Sequence, residues 1–272
     1  MVSSFTEDSV TNEHVVTVLR PFVRGTRPVL DALRESDPLG LRQRMLTGEA
    51  ADEAERRLFG TVWGRMLKLV SAAKVPGTPA WAAMSTDQRG RWWIHRVGRF
   101  TALLAAVPGI GGALTDRLPV QDALGAAGQG LVLCAIAAEY GVRDEDDQIR
   151  LLASVLFQRD VDAALRAGRD GAGEASTEQR TAELTQELDQ AQRKHGRFTL
   201  RAIASTVWRL GRLLWGLDDE LDRRPRGRWF HRMLGKLPMV GIAGDYLGER
   251  SALRRVAKAG CRWIEQHRAV QV

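Results

Sequence analysis

Apolar residues recur every three to four positions through nearly the whole chain, and the strict alternation that marks a half-buried strand is missing. That periodicity predicts an all-α protein, a multi-helix bundle with helix over more than half of its residues and no sheet. Val15, Val18, Leu19 and Phe22 follow Thr11 at helical spacing, and Leu58, Val62, Met66 and Leu69 do the same within residues 52–73. A helix over residues 87–106 should stop ahead of Pro108, because the residue before a proline is driven out of the helical region. Pro119 suits the first turn of the next helix. There Val120, Leu124, Ala127, Leu131, Cys134 and Ala138 share one face, and the remaining positions are also small or apolar, so burial nearly all round is expected. Tyr140-Gly141 supplies a C-terminal glycine. The acids at 144–147 open a further helix, with Ile149, Leu152, Leu156 and Phe157 as its apolar face and Arg166 and Arg169 at its end. Leu184, Leu188 and Ala191 form one narrow stripe, and Ile203, Val207, Leu210 and Leu214 continue the helical pattern.

These patterns divide the chain into a disordered tail at 1–10, a helical half at 11–167 with a Gly/Ala-rich hairpin, a linker at 168–177 and a helical half at 178–272 that ends in a basic helix. The halves share ordered matches. Thr61-Val62-Trp63 recurs as Thr206-Val207-Trp208, the stretch 89–96 recurs as 226–232, Val107-Pro108-Gly109-Ile110-Gly111 recurs as Leu237-Pro238-Met239-Val240-Gly241, and Ala123-Leu124 recurs as Ala252-Leu253. Two related helical-hairpin units would explain this, and chance matching in an Arg/Gly/Trp-rich chain is the alternative. On either reading Pro108 and Pro238 are each expected to start a short glycine-rich helix, and the two to lie close together in the core.

The chain carries a net charge of +7, unevenly placed. Residues 201–272 hold 15 Arg and Lys against 7 Asp and Glu, so attraction to an anionic partner should sit near the C-terminal end. Cys134 and Cys261 lie far apart within apolar patterns and read as two buried thiols rather than a disulfide framework or a zinc site. Residues 1–14 are polar and lack the apolar core of a signal peptide, so a cytoplasmic location is expected. The longest uncharged runs, 100–115 and 123–138, are sixteen residues each, short of the roughly 20 needed for a span. A buried helix pair is expected there, with a hairpin entering one leaflet as the alternative.

No residue pattern identifies a reaction or calls for a cofactor. None of the five histidines has a metal-spaced partner. The weak catalytic candidates are His95 and His231, in the paired Arg-Gly-Arg-Trp elements, each with Asp116 or Asp245 as the carboxylate. The glycines at 109–112 lack the lysine of a phosphate-binding loop and read as packing residues, and the 144–147 acids lack calcium-loop spacing and read as a solvated cap. The last helix, over residues 250–267, is the clearest binding candidate. Leu253, Ala257, Gly260 and Ile264 define its apolar face, with Val256 and Cys261 widening it, and Arg254, Arg255, Lys258 and Arg262 define its basic face. Such a helix lies on an anionic membrane surface or packs on the core with its charges solvated. Nucleic acid is the less favoured partner, because the basic stretch at 223–228 follows Asp218, Asp219, Glu220 and Asp222 and no nucleic-acid motif accompanies it.

Two stretches carry a resemblance. Residues 111–141 read GGALTDRLPVQDALGAAGQGLVLCAIAAEYG, and residues 236–260 read KLPMVGIAGDYLGERSALRRVAKAG. With Asp116, Leu118 and Pro119, then Tyr140 and Gly141, then Leu237, Pro238 and Gly241, the chain resembles the EcsC family over residues 90–165 and 226–265. The resemblance implies association with a bacterial ABC-transport operon, transporter components as partners and a place at the inner face of the membrane, with no defined reaction. The expected function is that of a non-enzymatic accessory protein. An enzyme and a nucleic-acid-binding accessory protein are the alternatives, and the oligomeric state is not set by the sequence.

Overall fold

The computed structural model describes residues 11–34, 76, 79–106, 120–168, 173–196, 198–222 and 241–270. All regular structure among them is helical, with no strand, and the helices cover more than half of the chain. They are α1 (Asn12–Arg34), α2 (Pro79–Ala82), α3 (Thr86–Ala106), α4 (Val120–Glu139), α5 (Glu145–Phe157), α6 (Asp162–Ala167), α7 (Glu174–His195), α8 (Leu200–Asp222) and α9 (Gly241–Val270). The expected helix at 52–73 and the elements at Pro108, Pro119 and Pro238 lie outside the described residues. Of the repeat, Thr206-Val207-Trp208 and residues 89–96 are described without their counterparts, and Ala123-Leu124 and Ala252-Leu253 are described on both sides.

Helix α4 is the axis of the bundle. From Ala123 to Ala137 its side chains are buried, and α1, α3, α5, α8 and α9 all pack on it. Small residues make that possible. A Cβ on Gly260 of α9 would stand 2.6 Å from Leu133 Cδ2, and one on Gly128 would stand 3.3 Å from Thr101 Cγ2 of α3. Helix axes approach closely where such positions carry no side chain. By length and composition α4 would pass as a membrane span, but 78% of the Asp122–Glu139 window is buried inside the bundle. The uncharged run at 123–138 is thus the core helix.

The helix ends follow local chemistry. Thr11 caps α1 by accepting from the His14 amide at 3.2 Å. Gly141, at φ 81°, closes α4: its amide donates to the Ala138 carbonyl, and the Val142 amide donates to the Ala137 carbonyl. Asp144 caps α5 through the Asp147 amide at 3.1 Å.

Two expected boundaries move. The helix opened by the 144–147 acids does not reach Arg166. Gln158 adopts a left-handed conformation, φ 53°, and the amides of Gln158 and Arg159 take the Ser154 and Ala153 carbonyls, so α5 ends at Phe157. Asp160 Oδ1 then accepts from the Asp162 amide at 3.0 Å, where α6 begins. Residues 174–177, expected within a linker, already belong to α7. Beyond that point α8 and α9 pack on α4, and the buried apolar residues of both halves form a single cluster.

Candidate anion-binding surface

The faces of α9 separate as the sequence periodicity requires. Leu253, Val256, Ala257 and Ile264 are buried against the core, and Arg254, Arg255, Lys258 and Arg262 are exposed. The apolar row is held by α3, α4 and α5. Its burial in protein leaves the cations as the part of the helix presented to solvent. Cys261 sits at the edge between faces, half-buried rather than fully buried as expected, beside Tyr140, whose hydroxyl donates to Asp87 at 3.1 Å. Burial pushes the Cys261 thiol above its usual range.

On the other flank of α9 a cleft of about 850 Å³ opens towards α5 and α6. Val142, Val161 and Ile264 line it with apolar surface, and Trp263 stacks on His267 with ring centroids 3.7 Å apart. One of its charges, Arg150, is already paired. Arg150 donates to Asp162 Oδ1 at 2.6 Å and to Asp147 Oδ1 at 2.7 Å, which holds the Asp162 carboxyl below the usual carboxylate range. Arg150 therefore clasps the start of α5 to the start of α6.

The acids at 144–147 are more than a solvated cap. Arg20 donates to Glu145 and Asp146, and Arg24 donates to Glu145 at 2.7 Å and to Glu174 at 2.6 Å, joining α1, α5 and α7. These hydrogen bonds, that to Glu145 first, raise the Arg24 guanidinium above its ordinary value. The four-residue spacing of Arg20 and Arg24 was a signal in the sequence. What it lacked was the partner, which is more than a hundred residues away.

His95 lies on α3, half-buried, beside a Trp/Arg stack. Trp92 packs edge-on against Trp81 and Trp93, and Arg34, Arg89 and Arg96 lie over the three rings. Trp93 is buried and donates to Glu139 Oε1 at 3.1 Å, which Arg34 and Arg89 also approach. The Arg-Gly-Arg-Trp-Trp element thus anchors α3 to α4. Asp116 and His231 lie outside the described residues, as does the side chain of Asp245, so all four candidate His–Asp pairs fall outside them. Among the described residues no group of His, Cys, Asp and Glu is arranged to hold a metal ion. Comparison with known protein families, curated proteins and solved structures finds no match.

Proposed function

We propose that the protein is a non-enzymatic helical accessory protein of the EcsC type, attached peripherally to the anionic cytoplasmic face of a bacterial inner membrane. One observation carries this reading: α9 exposes Arg254, Arg255, Lys258 and Arg262 while its apolar row is buried in the bundle. A cation near an anionic leaflet contributes about 1 kcal/mol, so four give weak, reversible attachment with a dissociation constant on the order of 1 mM. Among the described residues insertion has no free apolar face to use, because the α9 row and the α4 run both lie in the core. The resemblance to the EcsC family adds components of an ABC transporter as neighbours on that membrane.

The test is cosedimentation with vesicles. Binding is expected to mixed phosphatidylcholine–phosphatidylserine vesicles and to weaken as salt rises. No binding is expected to phosphatidylcholine alone. Replacing Arg254, Arg255, Lys258 and Arg262 with Gln should abolish binding while the helical circular dichroism stays unchanged. Equal binding to neutral vesicles, or none to either kind, would refute the reading.

A further inference from the structure

Helices α3 and α9 pack side by side, and two contacts set their relative direction. Leu253 Cδ1 of α9 lies 3.2 Å from where a Cβ of Gly98 would stand. Earlier in α3, Asp87 accepts from Tyr140, and Tyr140 lies beside Cys261, which comes later in α9. Earlier residues of α3 thus meet later residues of α9, and the pair is antiparallel. Gly98 faces Leu253 across the pair, Ile94 precedes Gly98 and Ala257 and Cys261 follow Leu253 at four-residue spacing, and Gly90 lies against Ile136 of α4.

In a right-handed helix each following residue is rotated by about 100° in the same sense. In an antiparallel pair those rotations carry the next residue of both helices to the same side. The rows one residue on are Arg91, His95, Arg99 and Arg254, Lys258, Arg262. They share one face of the helix pair. With Gly98 level with Leu253, Arg99 and Arg254, His95 and Lys258, and Arg91 and Arg262 are each offset along the axis by only two helix rises, about 3 Å. Neighbouring helix axes lie about 8–10 Å apart, and a four-residue step rises about 6 Å.

Arg91, Arg99, Arg254, Lys258 and Arg262 are exposed, and among the described residues none of them is held by a hydrogen bond or an ion pair. No Asp or Glu occurs at residues 88–106 or 250–264. Asp87 and Glu265 fall at one end of the pair, and Asp245 and Glu249, in the first turns of α9, precede the basic row at the other. Like charges at four-residue spacing destabilise a helix, and a second such row beside the first adds to the repulsion. An anionic partner would relieve it. No Phe, Tyr or Trp stands in the two basic rows to stack on bases, which favours an array of lipid headgroups over a nucleic acid.

We propose that α3 and α9 together form the lipid-facing surface, with Arg91 and Arg99 binding anionic headgroups beside Arg254, Lys258 and Arg262. This rests on the membrane reading above and extends it to a helix that the charge distribution along the sequence does not single out. The experiment compares wild type, Arg91→Gln/Arg99→Gln, Arg91→Lys/Arg99→Lys and Arg254→Gln/Lys258→Gln/Arg262→Gln on phosphatidylserine-containing vesicles. The α3 Gln pair is expected to weaken binding by about 30-fold, the effect of two cations at an anionic leaflet. The Lys pair should bind as wild type does. Wild type bound and the α3 Gln pair bound equally well would overturn this inference alone, leaving α9 as the attachment site. Loss of binding in the Lys pair as large as in the Gln pair would also overturn it, since charge would then not be the cause. Failure of wild type to bind would overturn the membrane reading and this inference together. Duplex DNA bound with the same variant dependence, with vesicles left unbound, would overturn the lipid assignment.

Discussion

Gly211 of α8 lies against the main-chain carbonyl of Ala123 in α4, so closely that a Cβ on Gly211 would overlap it. A backbone atom at the start of the central helix cannot swing aside as a side chain can. Gly211→Ala should therefore push α8 off α4 and lower stability by roughly 1–3 kcal/mol. Gly216 lies in the same helix with nothing within 4 Å of an added Cβ. There Gly216→Ala should raise stability by roughly 0.5–1 kcal/mol through helix propensity. Chemical denaturation of the two variants checks the pair. Equal effects of the same sign would show that the close approach at Gly211 is not tight.

The Arg150–Asp162 pair makes stability depend on acid pH. Hydrogen bonding to Arg150 depresses the folded-state pKa of Asp162 below its ordinary value of 3.8. A depressed carboxylate contributes stability that is fully present above that ordinary value and is lost as pH falls through the folded one. Asp162→Asn should lower the unfolding temperature at neutral pH and narrow its difference from wild type below about pH 4. A difference that stays constant into acid would rule out the pair as its source.

The two thiols should differ in reactivity. Cys134 is buried in α4, and burial pushes its thiol up to about 12. Cys261 is half-buried at the edge of α9 and is also raised, by burial first. Since the thiolate is the reactive form, both should label slowly in the native protein, Cys261 ahead of Cys134. Cys134 should label only on unfolding. Mass spectrometry after brief treatment with iodoacetamide reads the order, and native labelling of Cys134 ahead of Cys261 would contradict this packing.

The helical fold was legible because its signals are local. The spacing of Val15, Leu19 and Phe22, the small residues of 123–138 and the glycine after Tyr140 each act within a few residues, and all appear where periodicity put them. The end of α5 was not legible, because glutamine seldom takes the left-handed conformation that Gln158 adopts. Cys261 read as buried because it follows Gly260 in an apolar run, yet it sits where α9 turns from its core face to its basic one.

By itself the sequence determined that the chain is helical, that α4 is buried all round and that one side of α9 is basic, since periodicity and composition along a single helix decide each of these. Which helices meet was decided only by tertiary structure. Arg24 finds Glu145 and Glu174, and Gly98 comes level with Leu253, across more than a hundred residues of chain. The reason is physical. Hydrophobic burial rewards apolar area whatever its partner, so the pattern of one helix carries no address for another. The address comes from shape, where glycines let backbones approach, and from the direction in which two neighbouring helices run. That direction brings Arg91 and Arg99 onto the same face as Arg254 and Lys258.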